Sequence, residues 1–277
     1  VTTDASVPVH HIAPARGWVP VRPGELWDYR ELLQTLVWRE VRVRYKQTAL
    51  GVAWAVLQPV LTMVVFSVFF GRLAGIETGG PPYPVFAYCA LLPWQLFAYA
   101  LTESSNSVVA NQRLLTKVYF PRLILPLASV AVGMVDFAVS CVVLVALMLW
   151  FGLTPGLALL TIPVWTLLAV STAVAVSLWL AALNVRYRDV RYTVPFLTQL
   201  WLFVTPVAYP TSMVPEAWRG VYALNPMVGV VDGFRWALLG GPWPGATLAG
   251  STTAVLVLLV GGLYYFRRTE RTFADLV

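Results

Sequence analysis

The sequence predicts an all-α polytopic membrane protein with six transmembrane helices, an N-terminal amphipathic interface helix and re-entrant helices before the last span. Three observations carry this expectation. Of 277 residues, 58% are hydrophobic and 12% charged, with a mean hydropathy of +0.72, whereas a soluble domain is about 45–50% apolar and about 25% charged. Long segments run almost without charge, as a hydrocarbon layer of about 30 Å demands. Sixteen of the nineteen Lys and Arg residues fall on one side of those segments, so the net charge of +6 reads as topology and not as a nucleic-acid footprint.

Residues 1–24 hold His10 and His11 but no apolar stretch of the secretory kind, and are expected to form a flexible cytoplasmic tail. Residues 25–50 place Leu26, Tyr29, Leu32, Leu33, Leu36 and Val37 at helical spacing, opposite Asp28, Arg30, Glu31, Arg39 and Glu40. This helix is too charged to span. Two placements fit it, flat on the membrane surface or packed on its own bundle. The transmembrane domain, 51–266, carries expected spans at 52–71, 85–110, 123–151, 157–183, 193–209 and 245–266. The fifth is short and interrupted by Pro206 and Pro210. Only Arg72, Arg219 and Arg235 fall outside, so the positive-inside bias puts both termini in the cytoplasm, with 267–277 as a second tail. Segment 210–244 is apolar but too broken to cross, and reads as two short helices dipping back on either side of Asn225-Pro226.

Catalytic signatures are missing: there is no phosphate-binding loop, H-E-x-x-H, Cys/His cluster or G-x-S-x-G elbow. No catalytic residue and no metal site are expected. Cys89 and Cys141, about fifty residues apart in apolar runs, read as packing residues. Glu103 and Asp136 lie inside spans and read as interhelical hydrogen-bonding or packing sites, too few for an ion relay. The loop 111–122 sets Leu114, Leu115, Val118, Tyr119 and Phe120 beside Arg113, Lys117 and Arg122, and Pro121 ends it. A docking knob for a partner and an aromatic anchor at the interface fit that composition equally. Trp54, Trp94, Trp150, Trp218 and Trp243 are expected at interfaces. Phe97, Tyr99, Trp179, Trp201 and Phe203 fall deeper, where they either pack the core or line a conduit for sugar faces.

Residues 38–71, 111–130, 183–210 and 213–240 contain RYKQT-x-LG, LLTKVYFPR, N-x-RYRD and LNPM in that order. They resemble the permease subunits of type-2 ABC transporters that export O-antigen, teichoic acid and related surface polysaccharides, over about residues 26–270. The resemblance implies that 111–122 is a coupling helix seated on an ATPase subunit, with Arg186, Tyr187, Arg188 and Asp189 in a second loop approaching it. It implies a homodimer with two ATP-binding subunits in a bacterial inner membrane. ATP and Mg would belong to the partner, with no cofactor in this chain and no enzyme activity of its own. The implied substrate is a glycan on a polyprenyl diphosphate, either O-antigen, teichoic acid or a galactan-type precursor. Arg39, Arg42, Arg44 and Lys46 are candidates for the diphosphate, and the five deep aromatics for the glycan channel. Two alternatives are an ABC-type drug or lipid exporter permease and a membrane-embedded glycan-lipid enzyme.

Overall fold

A computed structural model describes residues 23–46, 51 and 53–273, and among them every regular element is helical. The tail expected at 1–24 lies outside the described residues except for Pro23 and Gly24, which open α1 (Pro23–Asp28). The interface helix is two pieces, α1 and α2 (Arg30–Lys46), meeting at Tyr29. Residues 47–50 of the expected segment are outside the described set.

Five helical segments are long and apolar enough to cross a membrane. They are α3 (Ala53–Phe66, continued as a π-helical turn Ser67–Leu73), α4 (Tyr83–Ala110), α6 (Ile124–Trp150), the 3-10 turn Leu157–Thr161 with α7 (Ile162–Arg186), and α11 (Gly245–Thr269). A short α5 (Gln112–Leu115) lies between α4 and α6. The expected fifth span does not form as one helix over 193–209. Instead α8 covers Val190–Val204, 15 residues or about 22 Å at 1.5 Å each, short of a hydrocarbon layer. Thr205, in extended conformation before Pro206, stops it, as the residue preceding proline is pushed out of helical geometry. Two helices do flank Asn225-Pro226: α9 (Glu216–Tyr222) and α10 (Pro226–Leu239). The Asn225 side chain caps α10 by accepting from the Met227 amide, with Pro226 at the first position where its missing N–H costs nothing.

The hub is α4, which packs against α3, α6, α7, α8 and α10. Its composition explains the position. It is the least apolar of the five spans, with a mean hydropathy of 1.4 against 2.5 for α6, and it also carries Glu103, Ser104, Ser105, Asn106 and Ser107. Serines facing lipid would be unsatisfied, so they are drawn inside, where neighbouring helices or the helix's own carbonyls answer them, while Glu103 stays exposed. Ser104 donates to the Pro126 carbonyl, Ser177 to Ala100, and Asn184 to Ser105. One glycine is fixed by close approach: a Cβ at Gly233 of α10 would meet the Trp165 ring at 2.1 Å.

A second apolar cluster closes the end of the bundle that carries α1, α2 and loop 111–122. Arg267 near the end of α11 pairs with Glu25 of α1 at 3.4 Å and with Glu270 at 3.2 Å. Arg267, expected to open a C-terminal tail, is therefore paired with α1, and Phe273 is buried against Phe266, while 274–277 lie outside the described residues.

Candidate functional site

Loop 111–122 is held from three directions. Arg39 of α2 donates to the Asn111 side chain at 3.0 Å, and the Tyr29 hydroxyl to the Tyr119 carbonyl at 3.4 Å. On the other flank the Arg122 amide donates to the Glu270 carboxylate at 3.2 Å, and its guanidinium to the Glu270 carbonyl. The expected docking residues then divide. Arg113, Lys117, Val118 and Tyr119 are exposed, Tyr119 by 67%. Phe120 is 4% exposed and Leu115 is also buried, both within the second apolar cluster, so these two anchor the loop and do not face a partner. Leu114 and Arg122 are half-buried.

The second loop presents Arg186, Tyr187, Arg188 and Asp189, all exposed, with the Arg186 guanidinium 5.5 Å from the Tyr187 ring centre. Asn184, two residues before, is buried and bonded to α4. The loop therefore leaves a fixed root.

The four cations of the RVRYK stretch do not act as one group. Arg39, Arg42 and Lys46 recur at i, i+3 and i+7, one row along α2, and all three are exposed. Arg44 leaves that row and turns inward. It pairs with Asp136 of α6 at 2.7 Å and lies over the Tyr99 ring at 4.4 Å, while the Tyr45 hydroxyl also donates to Asp136. Asp136 is thus a site of interhelical bonding, satisfied by a cation supplied from the surface helix. Beside Arg39, burial pushes the Glu40 carboxyl above its usual range, against the opposing pull of the Arg39 guanidinium.

The five deep aromatics do not share one surface. Phe97 is 0% exposed, packed between Trp94 and the edge of Trp201 at 5.1 Å, so within the chain its ring reaches no channel. Trp201 is half-buried and donates to the Asn225 side chain at 3.0 Å. Trp179 stacks on Tyr265 and donates to the Leu258 carbonyl, which ties α7 to α11. Tyr99 supports Arg44, and Phe203 is exposed on α8. Trp94, expected at an interface, is buried in the core.

Sequence reasoning placed Arg235 in an outside loop. It is instead 6% exposed, donating to the carbonyls of Pro206, Val207 and Tyr209 at 2.5–3.2 Å and lying 3.5 Å from the Phe86 ring centre. Next to it, Asp232 accepts from the Thr211 hydroxyl at 2.8 Å. The signal was present: a lone Arg inside the apolar run VVDGFRWALL, with Asp232 three positions earlier, is a charge that a bundle must absorb. Among the described residues there is no group of three metal-ligating side chains.

A multi-pass helical chain with a basic, aromatic-tipped loop buttressed by a surface helix has a recognisable counterpart. Residues 31–239 match the family described as ABC-2 type transporter. The chain belongs to that family. Among the relatives of this ABC-2 chain, the O-antigen export system permease protein RfbA of Myxococcus xanthus is 33% identical over 89% of this chain and 96% of its own length. An O-antigen export system permease protein RfbA of Klebsiella pneumoniae is 29% identical, covering 92% and 96%. The polysialic acid transport protein KpsM of Escherichia coli is 25% identical, covering 86% and 93%. The ABC-2 match includes α2, both loops and α10, the elements that build the site.

Proposed function

We propose that this chain is the permease subunit of an ATP-driven exporter, moving a polysaccharide built on a polyprenyl diphosphate across a bacterial inner membrane. The observation that carries the reading is the near full-length similarity to the O-antigen export permease of Myxococcus xanthus. Two copies form the conduit, and each seats its loop 111–122 and its Arg186–Asp189 turn on an ATP-binding subunit. Val118 and Tyr119 are the exposed apolar surface offered to that partner, rimmed by Arg113 and Lys117. ATP-driven closure of the partners then pushes on a loop already braced by α2 and α11. The diphosphate meets Arg39, Arg42 and Lys46 at the cytoplasmic surface, where charge-assisted bonds to phosphate are strongest in kind.

In this reading α8 and residues 205–209 complete a sixth crossing. Contact between Arg267 and Glu25 supports it: both ends of the described chain meet at one face, which requires an even number of passes. That face is cytoplasmic because it gathers the basic loops, and α9 and α10 then re-enter from the outer side.

The test is mass analysis of polyprenyl-linked glycans in cells depleted of the protein, with inner-leaflet and surface pools separated. Full-length lipid-linked polymer trapped inside is expected, and its composition names the substrate. Normal pools would overturn the reading in favour of a drug or lipid exporter, and truncated glycans in favour of a glycan-lipid enzyme.

A further inference from the structure

Between α3, α4 and α6, beside the inner end of α2, lies a cavity of about 230 Å³. Its wall includes Trp54, Gln58, Gln95, Glu103, Arg44 and Asp136. Such a lining is unusual at membrane depth. The amides of Gln58 and Gln95 and the Glu103 carboxylate have no hydrogen-bond or ion-pair partner among the described residues. Gln58 and Glu103 are exposed and Gln95 is half-buried at the mouth of the cavity, and against hydrocarbon such groups are heavily penalised, so the site favours water or a polar ligand.

The lining also selects among ligands. Arg44 is committed to Asp136 at 2.7 Å and to the Tyr99 ring, so the cavity carries one cation against two carboxylates and is net negative. A diphosphate entering it would meet repulsion. A permanently cationic headgroup would balance the charge but leave both amides unanswered. An uncharged polyol answers all three open groups, since its hydroxyls donate to the carboxylate and both donate to and accept from the amides. Trp54, 53% exposed, adds an aromatic face for the apolar side of a pyranose ring. The volume of about 230 Å³ is below the about 300–1,000 Å³ of a drug-sized pocket and suits a single ring.

We infer that this cavity is a binding subsite for a single uncharged sugar unit of a lipid-linked glycan, adjacent to and distinct from the exposed Arg39–Arg42–Lys46 row. The inference deepens the proposed export function and rests on it. The diphosphate stays at the surface row while the first sugar turns into the bundle.

The experiment uses the full-length chain in membrane vesicles with a dodecyl β-glucoside carrying a diazirine next to its headgroup. Crosslinks are expected in peptides covering 53–59 and 95–103, displaced by unlabelled dodecyl glucoside but by neither dodecyl phosphate nor dodecyltrimethylammonium. Trp54→Ala and Gln95→Leu should each reduce labelling by about tenfold, the loss of one good contact. Glu103→Gln keeps the hydrogen-bonding shape and removes a negative charge, so it should retain glucoside labelling while dodecyl phosphate begins to compete. Displacement from the wild-type chain by the phosphate or the ammonium amphiphile overturns the assignment, as does labelling spread evenly over the lipid-facing helices. Wild-type polymer export by a Gln95→Leu chain that no longer labels removes the cavity from the export route. Normal glycan pools after depletion, with labelling intact, sink the export reading and leave the sugar site standing.

Discussion

Arg235 shows how much one side chain settles. Its guanidinium answers three carbonyls just past the end of α8, where the chain turns and Pro210 has no N–H to offer the Pro206 carbonyl as a continuing helix would. Removing it leaves buried acceptors bare. Arg235→Ala is expected to destabilise the protein by about 3 kcal/mol or more, because each buried carbonyl left without a donor costs about 1–3 kcal/mol. Arg235→Lys should recover only part of that, a single ammonium being unable to fork across three acceptors. Thermal unfolding in detergent measures the loss, and proteolysis in 210–222 should accelerate in parallel. An unchanged melting temperature for Arg235→Ala would show that the carbonyls find other donors. Arg44 is the contrasting case. Its pair with Asp136 is partly exposed, so its value lies in holding α2 to α6 more than in bulk stability.

At the scale of elements, loop 111–122 turns adjacent residues opposite ways. Val118 and Tyr119 face outward, and Phe120 faces the core. Replacing Val118 and Tyr119 together by Ala should leave folding intact and uncouple ATP turnover from export. Phe120→Ala should instead cost about 3–5 kcal/mol, as buried Phe to Ala changes do, and lower the amount of protein in the membrane. Purified-complex ATPase assays beside export rates separate the two. Coupled turnover in the Val118, Tyr119 double variant would contradict docking through those side chains. The clamp of Glu270 on Arg122 gives the loop a rigid seat, and α11 is thereby tied to the loop though nearly 150 positions separate them in sequence.

For the whole molecule, the meeting of α1, α11 and loop 111–122 at one face underlies the even number of crossings proposed above. With Cys89 and Cys141 replaced by Ala, Tyr119→Cys and Arg268→Cys should react with an impermeant maleimide only after the inner face is opened. Glu216→Cys should react from outside in intact cells. Labelling of Arg268→Cys and Tyr119→Cys from opposite sides would refute the even-numbered topology.

What the sequence by itself determined is the part of the protein governed by its solvent. Membrane class, the approximate limits of five spans, the amphipathic segment and the basic side all follow from hydrocarbon thickness and charge cost, which act on local composition. Loop 111–122 stood out for the same reason, as a charged and aromatic interruption between two apolar runs. Only the tertiary structure decided which residues of those segments face which neighbour. Phe120 and Phe97 are as aromatic as Tyr119 and Phe203, yet the first two are buried and the others exposed. Arg44 and Arg42 are two positions apart, yet one is drawn to Asp136 and the other is exposed. In a membrane the hydrophobic effect does not distinguish the lipid-facing side of an apolar helix from its packed side. The choice falls to polar bonds and close packing between helices distant in sequence, and those exist only once the bundle has formed.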